Sequence, residues 1–142
     1  MSQAAERIQK MTLEELQEYK QQLQEKREKY LDAMDTFPRK QEDWLPSEWQ
    51  MKHDYDEILD LIYHVKLEIV TQEQGLREKD IAELEVVSHE AYRRARSMQH
   101  YSMPDWDSTE GNLAGFWKEI DFLETLETAA NLEIERRNLG NK

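Results

Sequence analysis

Apolar side chains recur at intervals of three and four residues through most of the chain, with few turn-forming residues to interrupt them. Only 4 Gly and 3 Pro occur in 142 residues. This spacing places apolar groups on one side of an α-helix, and alternation of the strand type is scarce. The expected fold class is therefore all-α. About four amphipathic helices are expected, in an up-down bundle or two packed helical hairpins. A dimer built on longer helices is the alternative.

Local signals place the breaks. Thr12 opens a capping box with Glu15, and Leu13, Leu16, Leu23, Tyr30, Met34 and Phe37 follow as the first stripe, which Pro38 ends. Residues 1–11 read as a polar lead-in, frayed or loosely helical. Ser47 is the expected N-cap of the second helix, whose stripe is Met51, Tyr55, Ile58, Ile62, Val65 and Ile69. Gly75 is the expected stop, with a helix continuing through it as the alternative. A third helix is expected from about Leu76 to Gln99, along Ile81, Leu84, Val86 or Val87, Ala91, Ala95 and Met98. Ser108 or Thr109 would cap a fourth, carrying Leu113, Phe116, Trp117, Ile120, Leu123, Leu126 and Leu132, with Gly140 as its stop. Residues 12–142 then form a single helical domain or, if the chain is duplicated, two related hairpins at about 12–74 and 76–140.

Duplication has a faint trace. At an offset of 62 residues, Asp43, Trp44, Glu48, Glu57, Ile58 and Leu61 fall on Asp105, Trp106, Glu110, Glu119, Ile120 and Leu123. Charge follows the same division. Residues 41–75 hold 2 basic and 9 acidic residues, and residues 101–142 hold 4 and 9, while the other two stretches balance.

The net charge of −12 argues against direct binding to a phosphate backbone, which needs clustered Lys and Arg. It suits plain solubility, a basic protein partner, or mimicry of a nucleic acid by an inhibitor of the phage type that blocks a nucleic-acid-binding protein. The absence of cysteine excludes disulfides, thiolate metal sites and cysteine nucleophiles. The N-terminus has no apolar run of the secretory kind, and no stretch reaches membrane-span length, so a cytoplasmic protein without membrane contact is expected. No Gly-rich phosphate loop, HExxH or GxSxG is present.

Four groups of residues can carry chemistry or recognition. His53, Glu57, Asp60 and His64 form one stripe on the second helix, suited to a transition metal or to a solvated polar face. Trp44, Trp49, Tyr101, Met103 and Trp106 lie in or beside the two long loops. There they either plug the end of a core or anchor a partner. Arg93, Arg94 and Arg96 answer the negative end of a helix dipole, pair with acidic helices or meet phosphate. The acidic and aromatic residues Asp43, Trp44, Glu48, Asp54, Asp56, Asp105, Trp106, Asp107, Glu110, Glu119 and Asp121 are the expected partner-binding surface.

The string DEILDLIYHVKLEI resembles the ExxD helix of MazG-type all-α nucleotide pyrophosphohydrolases, and EKREKYLDAMD supplies a matching ExxE. The resemblance covers about 25 residues in two pieces. It implies that Glu25, Glu28, Glu57 and Asp60 hold Mg²⁺ for attack on a nucleoside triphosphate. The leading expectation is a non-enzymatic acidic interaction protein with no cofactor. The alternatives are this Mg²⁺-dependent hydrolase and a helical scaffold or homodimer.

Overall fold

The computed structural model describes residues 3–101 and 110–140. Its elements are all helical, and no strand occurs among the described residues. Five α-helices are present there: α1 Gln3–Gln9, α2 Leu13–Met34, α3 Pro46–Glu73, α4 Ile81–Tyr101 and α5 Glu110–Gly140. Short 3-10 turns stand at Gln41–Asp43 and Leu76–Glu78. The helix beyond the four expected is α1, which lies in the stretch read as a lead-in. It is held because Ile8 is buried in a cluster with apolar side chains of α2 and α3.

Helix boundaries follow from caps. The Thr12 hydroxyl accepts the Glu15 N–H at 3.2 Å, and the Glu15 carboxylate accepts the Thr12 N–H at 3.1 Å. Both halves of the expected capping box are therefore formed. Asp80 and Glu83 build a second one, at 2.8 and 3.1 Å, and it sets the start of α4 at Ile81 rather than near Leu76. Gly75 adopts the left-handed conformation at φ 60°, ψ 38°, which closes α3 and turns the chain into the 3-10 turn.

Ser47 is not the N-cap of α3. The helix begins with Pro46, so Leu45 occupies the cap position and the fixed φ of proline serves the first helical residue. The Glu48 carboxylate reaches back to accept the Leu45 N–H at 2.8 Å. This is half a capping box, since leucine has no oxygen to complete it.

The chain divides into two compact units between Ile69 and Val70, inside α3. In the first, Ile8 of α1, Leu16 and Leu23 of α2, and Ile58, Ile62 and Val65 of α3 form one buried cluster. Met11, Tyr19, Tyr30, Leu61 and Ile69 pack around it. Each such apolar side chain contributes about 1.5–3 kcal/mol when fully buried.

In the second unit, α4 packs on α5 in antiparallel sense, with Ser88 bonded to Asn131 and Gln99 to Glu124. Ala91, Ala95 and Leu123 form the buried seam, flanked by Met98, Phe122 and Leu126. Val87 is partly buried and Val86 exposed, which settles the phase of α4. On α5 the buried side drifts from the expected stripe. Trp117 and Leu132 are exposed, while Ala129, Ala130 and Glu133 are buried. Leu132 lies nine residues from Leu123, about half a turn out of phase, so the two cannot share a face. Among the described residues, no helix is long and apolar enough to cross a membrane.

Candidate interaction surface

The connection between α2 and α3 is organised by aromatic rings. Phe37 meets Trp44 edge to face, with centroids 5.3 Å apart, and Trp44 meets Trp49 at 4.8 Å with a tilt of 56°. The Trp44 indole N–H donates to the Pro38 carbonyl at 2.8 Å. Phe37 and Trp44 are half-buried, whereas Trp49 is 46% exposed and Leu45 62%. One layer of rings is thus fixed by the loop, and an outer layer faces water.

The outward face of α3 continues from Trp49. Trp49, His53, Asp56, Asp60 and Tyr63 follow spacings of four, three, four and three, which keeps them on one stripe, and all are exposed. Glu57 flanks the stripe and is exposed as well. Local pairs hold the carboxylates: Lys52 with Asp56, His53 with Glu57 at 3.1 Å, and His64 with Asp60 at 3.6 Å. The Gln50 amide donates to Asp54 at 3.0 Å. Such exposed pairs contribute about 0–1 kcal/mol each and leave the carboxylates available to a competing cation.

Of the expected partner-binding residues, Asp43, Trp44, Glu48, Asp54 and Asp56 thus sit at the α2–α3 connection or on the first half of α3. Glu119 and Asp121 lie on α5, and Glu119 receives Arg94 at 3.3 Å. Glu110 opens α5, while Asp105, Trp106 and Asp107 lie outside the described residues, as do Met103, Ser108 and Thr109.

The arginine cluster of α4 is engaged by groups of α4 and α5. Arg93 pairs with Glu90 at 3.1 Å, Arg94 crosses to α5, and the Arg96 guanidinium lies 5.5 Å from the centre of the Tyr92 ring.

The carboxylates matched to the nucleotide hydrolases are exposed: Glu25 and Glu28 on α2, Glu57 and Asp60 on α3. Glu25 accepts a long bond from Gln21, and Glu57 and Asp60 face their histidine partners. Among the described residues, no group of three or more His, Asp or Glu side chains is gathered as a metal site would require.

Sequence reasoning missed the buried acid Glu133, which is 6% exposed. Arg136 donates to it at 2.6 Å and Arg137 at 3.1 Å, and Arg137 also donates to the carbonyls of Leu76 and Arg77. Burial pushes the Glu133 carboxyl up, but the hydrogen bonds and charges of Arg136 and Arg137 outweigh it and hold the pKa below the ordinary value. The bond to Glu133 in turn raises the pKa of Arg136. The three- and four-residue spacing of Glu133, Arg136 and Arg137 was the available signal. The group ties the end of α5 to the 3-10 turn after Gly75.

The chain matches no known protein-family model, no curated protein and no solved structure.

Proposed function

We propose that this protein is a non-enzymatic interaction protein whose acidic, aromatic-bearing α3 face binds a basic protein partner. The observation that carries the reading is the stripe Trp49, His53, Asp56, Asp60, Tyr63, exposed along its whole length. Large aromatics normally shelter from water, and two of them stand open here among carboxylates. Tryptophan and tyrosine are the side chains most often found as energetic anchors of interfaces. The surrounding negative charge steers a cationic partner and favours its correct register. In this reading the chain is a small helical bundle working in the cytoplasm. Its partner's surface is built for anions, nucleic acid included, so free DNA competes for the same partner.

The test is recovery of cross-linked partners from cell extract, followed by binding measurements with the purified partner. Wild type is compared with a variant carrying Asp56→Asn, Glu57→Gln and Asp60→Asn, at low and high salt. A basic protein that binds wild type, weakens in high salt and weakens again with the variant supports the reading. A partner indifferent to both changes contradicts it.

A further inference from the structure

We propose that the outer face of Trp49 is the seat of a cationic side chain of that partner, arginine in preference to lysine. The inference rests on the basic-partner reading above and adds the chemistry of the contact. Trp49 is held from behind by Trp44, which is itself fixed by its bond to Pro38 and by the edge of Phe37. This contact restricts the Trp49 ring, which lowers the ordering entropy lost when a partner arrives.

Tryptophan offers the strongest aromatic face for a cation. The planar guanidinium stacks on such a face and is less strongly hydrated than an ammonium. Local charge favours a cation, since residues 41–75 carry 9 acidic and 2 basic side chains. Asp43 precedes the aromatic pair, and Asp56 lies two helical turns beyond Trp49 on the same stripe. The neighbouring turn of α3 already shows this chemistry within the chain. The Lys52 ammonium bonds Asp56 and lies 5.8 Å from the centre of the Tyr55 ring. Over Trp49, by contrast, no cation is placed among the described residues. Leu45 extends the apolar rim beside it and can receive the aliphatic stem of the incoming side chain.

The experiment is calorimetric titration of the whole chain with two synthetic peptides of equal length and charge, one rich in arginine and one in lysine. Wild type is compared with Trp49→Leu, Trp49→Phe and, as a control, Trp117→Leu, which removes a tryptophan of similar exposure on α5. Circular dichroism checks that helix content is retained. The arginine peptide is expected to bind wild type more tightly than the lysine peptide. Trp49→Leu is expected to weaken the arginine peptide by about fivefold and erase the preference, Trp49→Phe to recover part of it, and Trp117→Leu to change nothing. Salt-sensitive binding of both peptides that is the same in wild type and Trp49→Leu would overturn the inference and leave the basic-partner reading standing. Failure of both peptides to bind at low salt would overturn the two together. A concentration-dependent dimer that Trp49→Leu abolishes would assign the face to a second copy and overturn the inference.

Discussion

The Trp44 indole N–H lies 2.8 Å from the Pro38 carbonyl, so the connection that follows the end of α2 at Met34 also positions the ring that packs against Trp49. Trp44→Phe keeps an aromatic ring but removes this bond. Hydrogen bonds of this kind contribute about 0.5–1.5 kcal/mol. Urea unfolding of Trp44→Phe should show a loss in that range, and proteolysis should find the 38–45 connection more readily than in wild type. An unchanged midpoint and cleavage pattern would mean that the bond does not organise the connection.

The two capping boxes should be separable by mutation. Thr12→Ala and Asp80→Ala each remove a side-chain acceptor for the third helical N–H. Each is expected to cost about 1 kcal/mol, while serine at position 12 should cost little. Thermal unfolding of the single variants measures this.

Glu133 gives a defined dependence on pH. Its folded pKa lies below the ordinary carboxylate value of 4.5, so the unfolded chain takes up the proton first. Its contribution to stability is therefore complete above about pH 4.5 and is lost as pH falls through the folded pKa. Glu133→Gln should cost about 1.5–3 kcal/mol at neutral pH, the range of hydrogen bonds to charged groups. The gap to wild type should narrow in acid. Unfolding curves of both proteins from pH 7 down to about pH 3 measure it.

Much of this was legible in the sequence. The three-four spacing found the apolar sides of α2, α3 and α4, because a buried face with large side chains leaves a strong periodic trace. Thr12 and Gly75 were readable since each acts through its own backbone and nearest neighbours. The Asp80 box was equally local and was overlooked. Ile8 was missed because a single buried residue on a seven-residue helix creates no period. The drift of α5 towards Ala129, Ala130 and Glu133 was hidden for a different reason. Small residues and a paired acid do not read as core until the packing of α4 is known. The openness of Trp49 belongs to the same class, since a tryptophan beside a loop reads as a plug of the core or as an anchor.

The carboxylates Glu25, Glu28, Glu57 and Asp60 yield a prediction about metal. Each is exposed, and none is gathered into a larger cluster among the described residues. A ligand that binds the folded state raises the melting temperature by mass action. Addition of Mg²⁺, Mn²⁺ or Zn²⁺ should leave the melting temperature of wild type unchanged and equal in its response to that of Glu57→Gln. A rise in wild type that the variant lacks would bring the nucleotide hydrolase reading forward.

In the proposed function, binding of a basic partner to the α3 face rests on charge and exposed aromatic rings. Its most direct test is the affinity of the purified partner for wild type and for the Asp56→Asn, Glu57→Gln, Asp60→Asn variant across a series of salt concentrations. Added salt screens exposed charges, so the wild-type affinity should fall steadily, and the variant should start weaker and fall less steeply. Identical affinities that do not respond to salt would contradict the claim.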